Sequence, residues 1–157
     1  MLSIAVCDDV LLECLDISAR IQALMDEMQI PCTVSRFTSG KELLEARDPF
    51  DLIFLDILME GMDGMETARR CREGGYGNRL VFLSASRRYV FDAYDVEAFH
   101  YLVKPVEDEK LRRVLERVAE KERESFRDYI VVNRERQRRK VYLDDIRYFE
   151  IRGRQVD

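Results

Sequence analysis

The sequence predicts an α/β fold, a doubly wound parallel sheet of five strands with helices on both faces. The first observation is a run of four apolar residues, Leu52–Leu55, which is too short for a core helix and typical of a strand buried on both faces. The second is the abrupt end of that run on a carboxylate, Asp56, because open α/β sheets bind ligands at the carboxyl ends of their strands. The third is the alternation of short apolar runs with amphipathic stretches. This pattern predicts strands that alternate with helices, and therefore a parallel sheet whose strands are joined by right-handed crossovers.

The predicted elements alternate from the N-terminus onward. The strands are expected at residues 2–7, 32–37, 52–55, 80–83 and 99–103. The first helix is predicted from apolar residues at three- and four-residue spacing, which are Cys14, Ile17, Ile21, Leu24, Met25 and Met28. Shorter helices are expected after Gly40, from Gly64 and near Tyr89, and the last helix begins near Asp108. Beyond residue 128 the pattern changes to short β-strands, separated by an arginine-rich turn at residues 134–139.

The charge distribution divides the chain in two. The 157 residues are 46% hydrophobic and carry a net charge of −5, which is typical of a globular protein. Residues 127–157 contain nine Lys and Arg against six Asp and Glu, a net of +3, which leaves −8 on residues 1–126. An acidic body followed by a basic tail predicts two units with different partners.

The sequence also argues against several classes of protein. It has neither an apolar stretch of membrane-spanning length nor the pattern of a signal peptide, so we expect a cytoplasmic protein with no membrane partner. Four cysteines occur without a CxxC pair and with a single histidine, which argues against a zinc site. We interpret them as reduced cysteines that act as small hydrophobic residues.

Polar side chains stand at the ends of four predicted strands. In a doubly wound sheet these ends share one edge, which would collect Asp8, Asp9, Asp56, Ser84 and Lys104. Three neighbouring carboxylates repel one another, and Mg²⁺ is a suitable counter-ion because it prefers oxygen ligands and commonly shares its site with a phosphoryl group. Asp56 would then be a carboxylate nucleophile, with Lys104 and Ser84 as donors to phosphate oxygens.

Each of these residues also has an ordinary structural explanation. An acidic pair after a strand often caps a helix, a serine often forms a turn, and a lysine is often a solvated charge. A tyrosine on the fifth strand, Tyr101, is equally explained as part of the core. It is the convergence of five polar residues on one edge that favours a functional site.

Residues 1 to about 122 resemble the receiver domain of two-component response regulators. The matching segments are Ala5-Val6-Cys7-Asp8-Asp9, Leu55-Asp56-Ile57 with Gly61-Met62-Asp63-Gly64, Phe82-Leu83-Ser84-Ala85, and Tyr101-Leu102-Val103-Lys104-Pro105. The resemblance implies a flavodoxin-like (βα)5 sheet of strand order 2-1-3-4-5, with a short partial β segment added at the C-terminus.

The resemblance also implies residue roles. Asp56 would be the phosphoacceptor and share a Mg²⁺ ion with Asp9 as a direct ligand, Asp8 through water and the backbone carbonyl of Leu58. Ser84 and Lys104 would hold the phosphoryl oxygens, and Ser84 and Tyr101 would form the conformational switch. The Lys104–Pro105 bond is expected to be cis. Glu60 stands where the family commonly has proline, and we expect this departure to change loop stiffness more than chemistry.

Residues 128–157 are similar to the opening of a LytTR-type DNA-binding domain. The segments that carry this shorter match are Tyr129-Ile130-Val131-Val132 and Asp144-Asp145-Ile146-Arg147-Tyr148-Phe149-Glu150. We therefore predict a receiver domain at residues 1–122, a helical linker at 123–127 and an incomplete LytTR-type domain at 128–157. DNA binding would require the complete output domain.

The predicted function is a phosphoacceptor switch that controls transcription, with a sensor histidine kinase as partner. Its catalysis would be limited to its own phosphorylation and slow autodephosphorylation. The resemblance also implies a homodimer through the fourth helix, fifth strand and fifth helix. Two alternatives stay open: a phosphohydrolase with an aspartyl nucleophile, which would want a second acid where Leu58 stands, and an interaction module of the same fold that needs no phosphorylation.

Overall fold

Five parallel strands form a single sheet in the computed structural model, which describes residues 1–47, 49–75, 77–126, 129–134, 137–142, 151–152 and 155–156. The strand order is β2-β1-β3-β4-β5, which confirms the predicted fold and order. The strands are β1 (Leu2–Cys7), β2 (Cys32–Phe37), β3 (Leu52–Asp56), β4 (Arg79–Ser84) and β5 (His100–Val103). The helices that alternate with them are α1 (Leu11–Glu27), α2 (Gly40–Glu45), α3 (Gly64–Glu73), α4 (Val90–Asp95) and α5 (Asp108–Phe126).

The central strand β3 is buried along its whole length, as its unbroken apolar run predicts. It pairs with β1 on one side and β4 on the other, so that Cys7 lies beside Leu55 and Asp56 beside Leu83. On the far side of β4, Ser84 pairs with Val103 of β5. This register brings the carboxyl ends of β1, β3, β4 and β5 to the same edge of the sheet.

The helices cover the sheet with the apolar faces that their spacing predicts. Helix α1 buries five of the six predicted stripe residues, which are Cys14, Ile17, Ile21, Leu24 and Met25. Met28 is only half-buried because the helix ends at Glu27. Helix α3 begins after Asp63, whose carboxylate accepts a hydrogen bond from the backbone N–H of Glu66 at 2.9 Å and caps the helix. All four cysteines are free, and three of them are buried, as predicted.

Gly64, the first residue of α3, lies directly against the backbone of β3. A Cβ atom at this position would be 2.1 Å from the carbonyl oxygen of Asp56 and 2.8 Å from Cα of Ile57. The backbone N–H of Gly64 donates to the carbonyl oxygen of Ile57 at 2.8 Å. The glycine therefore allows the loop between β3 and α3 to return close to the strand end that carries Asp56.

The chain separates into two compact units, Met1–Arg117 and Val118–Asp157. In the second unit, β6 (Tyr129–Arg134) pairs antiparallel with β7 (Gln137–Tyr142), and β8 (Ile151–Arg152) pairs with β9 (Gln155–Val156). The predicted arginine-rich turn at 134–139 was wrong in its extent, because the ladder continues to the pair Arg134–Gln137. One of the short strands that the sequence predicts beyond residue 128 is expected at residues 148–151, and of these only Ile151 belongs to the described part of the chain.

Candidate functional site

Three carboxylates meet at the carboxyl edge of the sheet. Asp8 and Asp9 follow β1, and Asp56 is the last residue of β3. Asp8 is 1% exposed, Asp56 is 5% exposed and Asp9 is half-buried. One carboxylate oxygen from each residue lies within 4.8 Å of the other two. The structure thus brings together three side chains that the sequence predicts as neighbours.

Lys104, which follows β5, directs its ammonium group into this cluster. Its Nζ atom lies 3.0 Å from Oδ2 of Asp8 and 3.4 Å from Oδ2 of Asp56. Its shortest contact is to a fourth acid, Glu13 of α1, whose Oε2 atom is 2.6 Å away. The peptide bond between Lys104 and Pro105 is cis, as expected.

Glu13 is a residue that the sequence does not reveal as part of the site. An acid in the first turn of a helix is common because it interacts favourably with the helix dipole. Glu13 and Lys104 lie 91 residues apart in the chain, and only the sheet order brings them together. An acidic residue five positions after Asp8 therefore matches no sequence motif that would indicate a functional site.

Burial sets the protonation behaviour of the cluster. Burial is the main cause that raises the pKa of Asp56 from 3.8 to about 6; the charge of Lys104 opposes it, and the charge of Asp8 adds to it. Burial also raises the pKa of Asp8, against the backbone N–H of Val10, which donates to Asp8 at 2.9 Å. Without a metal ion, the environment of Asp56 therefore disfavours its charged form.

The pKa values of Lys104 and Glu13, in contrast, shift in the directions that favour the charged forms of both side chains. Burial alone would lower the pKa of Lys104, but the hydrogen bonds to Glu13 and Asp8 and the charge of Asp56 raise it above its usual value. The pKa of Glu13 is lowered, chiefly by its hydrogen bond from Lys104. Lys104 is therefore a fixed positive charge shared among three carboxylates.

The donor set fits a Mg²⁺ ion. All three side chains offer hard oxygen ligands, and opposite ligands of a Mg²⁺ ion are about 4.2 Å apart. The three oxygens lie within 4.8 Å of one another, so small shifts of the side chains would bring them onto one ion whose remaining ligands are water. Leu58 follows Asp56 by two residues in the loop between β3 and α3, and its side chain is exposed. The role of its carbonyl as a ligand stays a prediction.

Glu60 contacts the predicted metal ligand Asp9 directly. Its backbone N–H donates to Oδ2 of Asp9 at 3.0 Å. A proline at position 60 would have no N–H and could not make this bond. The departure from proline therefore has a role at the carboxylate, in addition to the loop stiffness that we expected it to change.

Ser84 and Tyr101 are linked through a residue between β4 and α4. Ser84 is fully buried, and its hydroxyl oxygen accepts a hydrogen bond from the backbone N–H of Ser86 at 3.2 Å. The carbonyl oxygen of the same Ser86 accepts a hydrogen bond from the hydroxyl of Tyr101. The ring of Tyr101 is half-buried and lies against Phe82, with 6.4 Å between ring centroids. The two residues predicted as a switch are therefore connected through one backbone segment.

Two structural relatives share this fold. The solved response regulatory domain of protein MrkE from Klebsiella pneumoniae superposes with a TM-score of 0.67 at 21% identity, covering 78% of this chain and 99% of that domain. The response regulator TrrA of Thermotoga maritima, solved in complex with Mg²⁺-BeF, superposes with a TM-score of 0.59 at 26% identity. That match covers 75% of this chain and 99% of TrrA.

Sequence comparison identifies the family. The sensory transduction protein LytT of Bacillus subtilis is 26% identical over 117 residues, which are 74% of this chain and 48% of LytT. This chain thus spans about half the length of that relative. Residues 4–116 match the family described as the response regulator receiver domain. The chain therefore belongs to the receiver domain family of two-component response regulators.

Proposed function

We propose that the protein is a phosphoacceptor switch in which Asp56 takes a phosphoryl group from a sensor histidine kinase in a Mg²⁺-dependent reaction. The observation that carries the proposal is a buried carboxylate at a strand end, beside two further carboxylates and 3.4 Å from a lysine ammonium. A carboxylate in this position can act as a nucleophile toward phosphorus, and the positive charges of Lys104 and a bound Mg²⁺ ion would stabilise the negative charge of the incoming phosphoryl group.

In the proposed reaction, a carboxylate oxygen of Asp56 attacks the phosphorus atom of a phosphohistidine. The new bond joins Asp56 to phosphorus, the P–N bond breaks, and the electron pair leaves with the imidazole. Lys104 pairs with a phosphoryl oxygen, and the hydroxyl of Ser84 donates to another. Mg²⁺ held by Asp8, Asp9, Asp56 and the carbonyl of Leu58 would supply charge neutralisation to the phosphoryl oxygens.

The chemistry of the site favours this proposal over its alternatives. A phosphohydrolase with an aspartyl nucleophile would want an acid two residues after Asp56, where Leu58 can neither donate nor accept a proton. An interaction module without phosphorylation would not require the combination of three carboxylates, a buried serine and a lysine. Receiver domains are signalling switches, and we assign no further catalytic activity to this one.

A surface beside the site suits a protein partner. The first turns of α1 expose apolar side chains, of which Leu12 is 78% exposed and Leu11 and Leu15 are also exposed. Leu58, on the loop after Asp56, is exposed as well. Exposed apolar side chains next to a reactive group are typical of a docking site. We propose that the kinase binds here and presents its phosphohistidine to Asp56.

The output of the switch is proposed to lie at the other helices and at the C-terminus. Phosphorylation would draw Ser84 toward the phosphoryl group and, through Ser86, change the position of Tyr101. Helix α4, next to Tyr101, exposes Phe91 and Tyr94 at 85% and 84%, which suits a homodimer through α4, β5 and α5.

We propose the domain limits 1–122 for the receiver, 123–127 for the linker and 128–157 for the start of a LytTR-type domain. Binding of DNA and control of transcription would need the complete output domain.

The test is intact-mass analysis after incubation with acetyl phosphate. We expect one phosphoryl adduct in the presence of Mg²⁺, little adduct in a chelator, and none in Asp56→Ala. The variant Asp92→Asn, which alters an exposed acid of α4, is the matched control and should react like the unmodified protein. An adduct that persists in Asp56→Ala, or that forms equally well in chelator, would contradict the proposal.

A further inference from the structure

Lys104 is held by a carboxylate that does not belong to the proposed phosphoryl site. Its ammonium group has three N–H donors. The nearest acceptor is Oε2 of Glu13 at 2.6 Å, followed by Asp8 at 3.0 Å, while Asp56 lies at 3.4 Å. Before phosphorylation, the ammonium group is therefore closer to Glu13 than to the residue that would carry the phosphoryl group.

A phosphoryl group on Asp56 would change which acceptors Lys104 can serve. It would add a charge of about −2 and three strong acceptor oxygens within reach of the ammonium group. The hydrogen bonds to Glu13 and Asp8 use two of the three N–H donors of Lys104, so one donor remains for the phosphoryl oxygens. For Lys104 to donate to a second phosphoryl oxygen, one of the two acids must release it.

Burial decides which acid can be released. Asp8 is 1% exposed and is fixed by the N–H of Val10, so it cannot turn to solvent without losing that hydrogen bond. The side chain of Glu13 is 50% exposed and can exchange its ion pair for water at little cost. Glu13 is thus the partner that Lys104 can leave.

We propose that Glu13 restrains Lys104 in the unphosphorylated protein and thereby slows phosphoryl uptake at Asp56. Glu13 is a positioning residue, because it acts through Lys104 and does not touch the reacting atoms. This inference rests on the proposed function of Asp56. It goes beyond it by assigning a restraining role to an acid of α1, and it predicts that removing this acid makes the site react faster.

The test compares Glu13→Gln with a control that removes a negative charge from the same helix. Asp16 provides this control, because it pairs with Arg20 at 3.4 Å on the following turn of α1. Glu13→Gln and Asp16→Asn lose the same charge, but only the first loses the Lys104 partner. Both are studied in the full chain with acetyl phosphate and saturating Mg²⁺, and the adduct is followed by intact mass.

We expect Glu13→Gln to be phosphorylated about two- to fivefold faster than the unmodified protein, the range expected for a partly exposed ion pair. Asp16→Asn should change the rate less than twofold. A second measurement follows the Nζ resonance of Lys104 by NMR without phosphodonor. This resonance should move in Glu13→Gln and stay in place in Asp16→Asn, because only the first variant removes a partner of Lys104. A purely structural role of Glu13 would not produce the gain in phosphorylation rate.

The possible failures are distinguishable. If the unmodified protein and Asp16→Asn accept no phosphoryl group, the proposed function of Asp56 is wrong. If they accept it and Glu13→Gln reacts at the same rate or more slowly, the restraining role of Glu13 is overturned. Glu13→Asp keeps the charge with a side chain one methylene shorter. If Glu13→Asp is phosphorylated faster than the unmodified protein, the restraint requires direct contact between residue 13 and Lys104. An unchanged rate in Glu13→Asp would overturn this requirement.

Discussion

Replacing Asp56 by asparagine should stabilise the metal-free protein. The amide keeps the shape of the side chain and removes its charge, which is the form that the buried site favours. Burial and the neighbouring acids raise the pKa of Asp56 from 3.8 to about 6 despite Lys104. A tenfold change in an acid constant corresponds to about 1.4 kcal/mol, so the charged form of Asp56 costs roughly 3 kcal/mol at neutral pH.

The pH dependence of this effect has a definite sign. Because the folded state binds the proton of Asp56 more tightly than the unfolded state does, the contribution of this residue to stability is greatest below pH 3.8. It is lost as the pH rises to about 6. Asp56→Asn should therefore exceed the unmodified protein by about 1–3 kcal/mol in free energy of unfolding at pH 7.5, and the difference should shrink toward zero near pH 4.

The assay is urea unfolding of the full chain in chelator, followed by far-ultraviolet circular dichroism at both pH values. Asp92→Asn on α4 is the control, because its exposed side chain should change stability by no more than about 0.5 kcal/mol. Added Mg²⁺ should stabilise the unmodified protein by binding to the folded state and should narrow the difference. A less stable Asp56→Asn in chelator, or a gain that is equal at pH 4 and pH 7.5, would refute the reasoning.

Two further predictions concern the metal and the loop. Asp9→Ala should weaken Mg²⁺ binding more than Asp8→Ala in a calorimetric titration, because a direct ligand contributes more than one acting through water; equal affinities would contradict this order. Gly64→Ala should lower the free energy of unfolding by about 3 kcal/mol, because its Cβ would meet the carbonyl oxygen of Asp56 at 2.1 Å. Gly77→Ala, whose Cβ meets no atom within 4 Å, is the matched control, and a similar loss in both variants would count against the steric cause.

The predictable part of the fold is the part that depends on local pattern. The strands appear within one residue of their predicted ends, and the clearest of them, β3 and β4, are short apolar runs that end on a polar residue, Asp56 and Ser84. The end of β3 at Asp56 was readable because a carboxylate cannot continue a strand buried on both faces without a partner. Once the strand order is known, the meeting of Asp8, Asp56 and Lys104 follows from topology alone.

The unpredicted part depends on which side chains meet across the sheet. The contact of Glu13 with Lys104 depends on where the first turn of α1 lies relative to the end of β5. The spacing of apolar residues in the sequence does not predict that position. The bond from Glu60 to Asp9 uses a backbone N–H, and a backbone group has no residue type that a motif could show. The pairing of Arg134 with Gln137 was also missed, because the sequence analysis interpreted the cluster of charged residues between the two strands as a turn.

The arrangement of charges explains why this edge of the sheet is suited to switching. Asp8, Asp56 and Glu13 all contact the ammonium group of Lys104, and Asp9 adds a further negative charge beside Asp8 and Asp56. A divalent cation would relieve the repulsion among the three aspartates and allow Asp56 to stay ionised, which it must be to attack phosphorus. A phosphoryl group would then compete with the acids for Lys104. Of these acids, Glu13 is the exposed one, and its ion pair with Lys104 can break at the lowest cost. In the proposed switch, the excess of negative charge at this edge would therefore couple metal binding, phosphorylation and the release of Lys104.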